Sequence, residues 1–304
     1  ANRQVYLNNA NGTGWALADI NVWETPCFFV YSDGKDLGCR LAEINGDGLI
    51  DVLESDGGVL DKTYINTGNG WQYQSAYDNA FPNQTNSAGN DLGVRTADIN
   101  GDGLDDFIVS YQGNKRTFLN RGSATSSEEV FGMDAPEYFI DTAGDDIGTR
   151  MVDVNGDGLV DFVRASQASG GTKKVYINKG DGTGWAEDTN WDIPLFFIDS
   201  LGENYGVRFA DVNGDGLVDI LRNDPKSGGG NMVYLNDNDG TGWTLDSSWS
   251  VPHAFVDNNG LDVATRIADV NGDGLADILN FKTGASKYVN INNGKRADLL
   301  TKII

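Results

Sequence analysis

The chain has 304 residues, with 45 acidic against 22 basic, a formal charge of −23, 40 glycines and a single histidine. Such an acidic balance disfavours nucleic acid and anionic membranes as partners. No apolar run is long enough to cross a bilayer, the opening Ala1-Asn2-Arg3-Gln4-Val5 is no signal peptide, and the glycine content suits many turns and few helices. The chain reads as an exported domain, either freed of a leader or cut from a longer protein.

Residues 1–36 begin with the strand-like Val5-Tyr6-Leu7-Asn8, followed by Gly-Thr-Gly-Trp ending at Trp15 and by Trp23 and Pro26. Cys27 and Cys39 flank the end of this segment. Two unpaired buried thiols are the favoured reading, with a local disulfide as the alternative, because spacing alone does not supply disulfide geometry. The pair stands too far apart in sequence for a redox motif.

From residue 37 to residue 295 one unit recurs. It opens with Gly38-Cys39-Arg40, then Gly93-Val94-Arg95, Gly148-Thr149-Arg150, Gly206-Val207-Arg208 and, with alanine for glycine, Ala264-Thr265-Arg266. Alternation puts each arginine on one strand face with a small and an apolar residue, as in Arg208, Ala210 and Val212. A charge-assisted bond to a neighbouring module is expected, with Asp36, Asp91, Asp146 and Asp262 as partners. The alternative is a ring of arginines lining a channel that takes an anion.

A nine-residue loop follows, starting at Glu43, Asp98, Asp153, Asp211 and Asp269, so that successive starts lie 55, 55, 58 and 58 residues apart. A fixed period of this size marks a repeat architecture. Oxygen donors stand at positions one, three, five and nine, with a glycine at six and a backbone carbonyl at seven. This is the rhythm of a loop that turns alternate residues toward one hard cation, calcium. The candidate ligands are Glu43, Asn45, Asp47, the Leu49 carbonyl and Asp51; Asp98, Asn100, Asp102, Leu104 and Asp106; Asp153, Asn155, Asp157, Leu159 and Asp161; Asp211, Asn213, Asp215, Leu217 and Asp219; and Asp269, Asn271, Asp273, Leu275 and Asp277. One Asn-Gly-Asp-Gly alone would suit a tight hairpin equally well, and the fivefold recurrence favours metal. About five calcium ions are expected, offsetting roughly ten of the negative charges. Glu43 is the one departure at position one, and its extra methylene is expected to weaken or reshape the first site.

Each loop runs into an apolar pair, Val52-Leu53, Phe107-Ile108, Phe162-Val163, Ile220-Leu221 or Ile278-Leu279, which reads as a strand. A further strand ends at Asn66, Asn120, Asn178, Asn236 or Asn292. Tryptophans then recur at Trp71, Trp185 and Trp243, and Trp191 and Trp249 precede prolines; the second unit lacks both. Packing between modules is favoured over a sugar-stacking platform. Four strands per unit fit the blade of a β-propeller. The expected fold is all-β, five four-stranded blades with the N-terminal strands closing the ring onto the last blade; six blades, one without a metal loop, is the alternative.

Copies of DxNGDGxxD preceded by GxR and followed by an apolar pair resemble the FG-GAP or VCBS repeats of integrin α-type heads, fungal lectins and bacterial surface proteins. The resemblance covers the whole chain and implies calcium-binding propeller blades. The exit segment 296–304, Arg296-Ala297-Asp298-Leu299-Leu300-Thr301-Lys302-Ile303-Ile304, is similar to the passage from such a propeller into the YD-repeat shell of Rhs proteins and Tc-toxin B components. Function is therefore expected to be a non-catalytic, calcium-stabilised scaffold for protein binding or adhesion, extracellular or on the cell surface. A carbohydrate-binding module is the main alternative and a polysaccharide lyase a distant third. No nucleophile, base and orienting group recur together around the lone His253.

Overall fold

The computed structural model describes residues 5–8, 15–29, 36–55, 61–111, 113–122, 127–226, 230–280 and 288–294. The exit segment 296–304 and the side chains of Tyr6, Asn8 and Trp15 lie outside the described residues. The chain is a β-propeller of five blades, each an antiparallel meander. Blade one comprises Cys39–Ala42, Asp51–Glu54, Lys62–Asn66 and Trp71–Tyr73. Blade two comprises Val94–Ala97, Asp106–Tyr111, Asn114–Leu119 and Glu128–Val130. Blade three comprises Thr149–Val152, Asp161–Ser166, Thr172–Asn178 and Trp185–Glu187. Blade four comprises Val207–Ala210, Asp219–Asn223, Asn231–Asn236 and Trp243–Leu245. In blade five the described strands are Thr265–Ala268, Asp277–Asn280 and Tyr288–Asn290. The N-terminal Tyr6–Asn8 and Trp15–Leu17 pair with each other as a separate two-stranded sheet. A single helical turn, Ile20–Trp23, follows it, capped by the Asp19 side chain.

The apolar pair in each second strand explains the stacking. Successive side chains point to opposite faces of a strand, so a strand buried on both faces carries consecutive apolar residues. Phe107 joins Ile44 and Leu53 in the core shared with blade one, while its neighbour Ile108 joins Ile99 and Phe162 in the core shared with blade three. Val154, Val163 and Val175 of blade three meet Ile220 and Trp243 of blade four, and Val212, Leu221 and Val233 of blade four meet Ile278 of blade five. The core is thus a set of layers between blades.

Cys27 and Cys39 form a disulfide, with Cα atoms 6.2 Å apart, which overturns the expectation of unpaired thiols. The bridge is buried against Val52, Tyr64 and Trp71. By the chain-entropy argument a loop this short contributes about 3 kcal/mol. It fastens the segment before blade one to that blade's first strand.

The Gly-x-Arg pattern has a backbone cause. Gly148 has φ 82°, and a Cβ there would lie 2.8 Å from the Ala165 carbonyl oxygen. The corresponding residue in blade five is Ala264, which holds φ 63° with a side chain attached. Left-handed backbone costs a non-glycine residue roughly 1–2 kcal/mol, partly offset by the greater chain entropy glycine loses on folding. Ala264→Gly is therefore expected to stabilise the protein by about 1 kcal/mol, measured as an upward shift of the denaturation midpoint.

Candidate metal centre

Each nine-residue loop joins the first and second strands of its blade and is shaped by its own polar side chains. In blade three, Asp153 Oδ1 accepts from the Gly156 N–H at 2.7 Å and its Oδ2 from the Gly158 N–H at 2.8 Å. Asn155 Oδ1 accepts from the Asp157 N–H at 3.0 Å, and Asp157 Oδ1 from the Leu159 N–H at 2.8 Å. Such local side-chain turns are what Asp and Asn do best outside regular structure. The same four contacts recur around Asp98, Asn100, Asp102 and Leu104 in blade two, around Asp211, Asn213, Asp215 and Leu217 in blade four, and around Asp269, Asn271, Asp273 and Leu275 in blade five. Backbone N–H groups of Gly274 and Gly272 hold the Asp269 carboxyl below the usual carboxylate range, against a smaller effect of burial.

Blade one departs at position one. Glu43 Oε1 accepts from Asn45 and Gly46 at 3.2 and 2.7 Å, while Asn45 and Asp47 behave as in the other loops. The bond from the second glycine, made to position one by Gly103, Gly158, Gly216 and Gly274, has no described counterpart from Gly48. The longer side chain reaches past the turn that an aspartate closes.

Position nine is different in kind. Asp51, Asp106, Asp161, Asp219 and Asp277 are fully buried, and each ties together two backbone segments. Their Oδ2 atoms accept from the N–H at position two, namely Ile44, Ile99, Val154, Val212 and Val270, at 3.0–3.2 Å. Their Oδ1 atoms accept from the N–H of Asn66, Asn120, Asn178, Asn236 and Asn292, at 2.7–2.9 Å. Burial pushes Asp106 and Asp161 up to about 7, and Asp51 and Asp219 up to about 6. The backbone bonds oppose this shift, while the carboxylates at positions five and one add to it.

The donor set suits a hard cation, with oxygen donors of alternating positions gathered on one turn and three mutually repelling carboxylates per loop. The fit is incomplete at position nine, whose oxygens are turned onto backbone N–H groups. Among the described residues no three acidic, histidine or cysteine side chains converge closely enough to hold a metal ion.

Two loop residues do more than their spacing indicates. In blades two to five the asparagine at the end of the third strand also donates through Nδ2 to the position-two carbonyl of the preceding blade, whereas Asn66 of blade one donates to Ile50 of its own blade. Asn120 reaches Ile44 at 2.9 Å, Asn178 reaches Ile99 at 2.8 Å, Asn236 reaches Val154 at 2.9 Å and Asn292 reaches Val212 at 2.7 Å. The leucine at position seven, singled out only for its carbonyl, packs its side chain on the preceding loop. A Cβ added at Gly156 would lie 2.5 Å from Leu217 Cδ2, and one at Gly214 would lie 2.9 Å from Leu275 Cδ2. The loops are therefore linked in succession from blade one to blade five.

The FG-GAP-like repeat model matches residues 98–164, 153–222 and 211–279, together more than half of the chain. The chain belongs to the FG-GAP-like repeat family. Each matched stretch begins at position one of a loop and ends in the second strand of the next blade; the Glu43 loop lies outside them. Among solved structures, the chain is similar to an Agrocybe aegerita lectin described for specific recognition of non-reducing terminal N-acetylglucosamine. That match has 21% identity, covers 93% of this chain and 70% of the lectin chain, and has a TM-score of 0.58. A Photorhabdus luminescens Tc holotoxin pore matches at 17% identity with a TM-score of 0.52, covering 94% of this chain and 14% of the toxin chain. At these identities the likeness shows the fold alone. A search of the curated proteins found no match.

Along the inner strands of these FG-GAP blades, four of the five arginines pair within their own blade, and only Arg208 has its carboxylate partner, Asp262, on the neighbouring blade. The Asp side chain caps the N–H two residues on, and the turn brings the arginine back onto both carboxylate oxygens. Arg40 meets Asp36 at 2.6 Å, Arg95 meets Asp91 at 2.8 Å, Arg150 meets Asp146 at 2.7 Å and Arg266 meets Asp262 at 3.0 Å. Burial raises the Asp146 carboxyl, but Arg150, the Gly148 N–H and Arg95 together bring it below its ordinary value.

The tryptophans pack, as expected. Trp191 and Trp243 are buried with ring centroids 5.1 Å apart. Trp185 and Trp243 donate their indole N–H to the Val160 and Val218 carbonyls at position eight, at 2.8 and 2.9 Å.

Proposed function

We propose that this propeller is a non-catalytic scaffold whose rim is stiffened by calcium and which presents its surface to a protein partner or to a neighbouring domain of a larger extracellular or cell-surface protein. The observation that carries the reading is the fivefold repetition of one oxygen-donor loop, with blades two to five each joined to the loop of the blade before through an asparagine. In each loop the ion would be held by the side chains at positions one, three, five and nine and by the leucine carbonyl, from Glu43 to Asp51 in the first and from Asp269 to Asp277 in the last. Closing a site requires the position-nine carboxylate to share its second lone pairs with the ion while keeping its backbone bonds. Calcium would supply positive charge to a loop that carries three carboxylates, and it would stiffen a turn that leads directly into a core strand. The Cys27–Cys39 bridge agrees with an oxidising compartment. Among the described residues no helix is long and apolar enough to cross a membrane. Calorimetric titration after EDTA treatment should give about five calcium ions per chain. Absence of any binding heat would sink the proposal.

A second reading, glycan binding, is favoured by one residue. Phe131, at the outer edge of blade two, is 90% exposed beside a groove lined by Asn100, Asp102, Arg121 and Glu129. An exposed ring among hydrogen-bonding side chains suits a sugar face. Binding on a glycan array that disappears in Phe131→Ala would support it.

A further inference from the structure

The inner ring of arginines has one break. In blades one, two, three and five an aspartate four residues before the arginine both caps the turn and accepts from the guanidinium, through Nη1 and Nη2 in the first three and through Nη1 alone in blade five. In blade four that residue is Asn204. Its Oδ1 still accepts from the Gly206 N–H at 2.7 Å, so the turn is kept and only the charge is missing. Arg208 donates to the Val207 carbonyl at 2.8 Å, and its nearest carboxylate, Asp262 of blade five, stands 3.7 Å away. Asp262 is already engaged through both oxygens by Arg266, at 3.0 Å each. Three guanidiniums, Arg150, Arg208 and Arg266, therefore share two carboxylates, Asp146 and Asp262. Burial lowers the Arg208 pKa, opposed by Asp262, while Arg150 and Arg266 lower it further. The guanidinium lies over the Phe255 ring at 5.2 Å, which removes water from one face and leaves its edge, with the side chain 28% exposed, as the open side.

We propose that Arg208 is a binding site for one oxyanionic group, a carboxylate or phosphate-type oxyanion, at the inner strand of blade four. A planar guanidinium with unused donors takes such a group through paired N–H···O bonds. In the other blades an internal aspartate occupies that position; here the place is left for a ligand. The group comes either from a free ion or from an acidic side chain of a segment entering the propeller. The inference does not depend on the calcium reading.

The test uses the whole chain at low ionic strength in buffer without added calcium, titrated in parallel with inorganic phosphate and with a hexaglutamate peptide, against Asn204→Asp and Arg208→Gln. Asn204→Asp restores the pair that four blades already carry, so it folds. Binding of either probe to the wild type, weakened at least tenfold in both variants, is the expected result. Phosphate binding identifies a free-ion site, and hexaglutamate binding without phosphate binding identifies an acidic-segment site. Failure of both probes to bind, or equal binding to the wild type and Asn204→Asp, would overturn the proposal.

Discussion

Removal of calcium is expected to lower the melting temperature by on the order of 10–30 °C. A ligand that binds only the folded state stabilises by about 2.7 kcal/mol per site at a hundredfold excess over its dissociation constant. For a chain of this length, 1 kcal/mol corresponds to roughly 2 °C. Two filled sites thus account for about 10 °C and five for about 27 °C, before any loss from repulsion among unscreened carboxylates. The decisive comparison is a thermal melt in millimolar calcium against one in excess EDTA at the same ionic strength, with magnesium as a control for charge screening alone. Magnesium demands tighter octahedral geometry and keeps its waters, so it should rescue little. Identical melts in calcium and EDTA would leave the loops as ordinary hairpin turns. The Glu43 loop should be the last to fill, because its position one has lost the Gly48 contact that the aspartates make with their second glycine.

The parts of this molecule that could be read from sequence are those set by short-range geometry. The loop, the following apolar pair and the small residue before each arginine all act within about ten residues, and repetition five times over separated them from chance. The pairing of Arg40, Arg95, Arg150 and Arg266 was legible in its partners but misplaced in space: an aspartate four residues earlier lies across a turn, not on the neighbouring module. What escaped was whatever depends on the ring. Asn178 and Ile99 are far apart in sequence and meet only because consecutive blades stack. The asparagine could be seen as a turn residue, a role it does play through the Gly180 N–H, but its second bond needs the next blade in place. The recurrence of one asparagine 14 to 17 residues after position nine of each loop was the available signal. The disulfide escaped for a similar reason, since two cysteines twelve residues apart can face each other or not according to a backbone path that spacing does not set. Position nine was legible as a carboxylate and not as a buried one. Its apolar neighbours Phe162 and Val163 place it at the start of a core strand, which is the cue that it serves the backbone as well as an ion.

The asparagine and the position-nine carboxylate together make each loop sense its neighbour. Asp161 fixes Asn178, and Asn178 holds the carbonyl of Ile99 in the loop of the preceding blade. Ile99 in turn donates its N–H to Asp106. A chain of hydrogen bonds thus runs from carboxylate to carboxylate, from Asp277 of blade five to Asp51 of blade one. Such a network is strong only when every member is satisfied.

Asp161→Ala is therefore expected to be among the most damaging single changes in the protein, and more damaging in calcium than without it. The substitution leaves the buried N–H groups of Val154 and Asn178 without their acceptor. Each buried donor left unpaired costs about 1–3 kcal/mol, so the loss from the backbone alone is about 2–6 kcal/mol. In the calcium-free protein part of this is returned, because the variant no longer buries a carboxylate beside Asp157 and Asp153, the arrangement that pushes Asp161 up to about 7. With calcium bound the carboxylate is neutralised, nothing is returned, and the ligand is lost as well. Denaturant unfolding of wild type and variant in calcium and in EDTA separates the two contributions. The expected pattern is a larger stability difference in calcium, with the loss felt in blade two through Asn178 and visible as faster amide exchange at Ile99. A difference of equal size in both conditions would mean that Asp161 acts as a backbone clip alone and that no ion shares it.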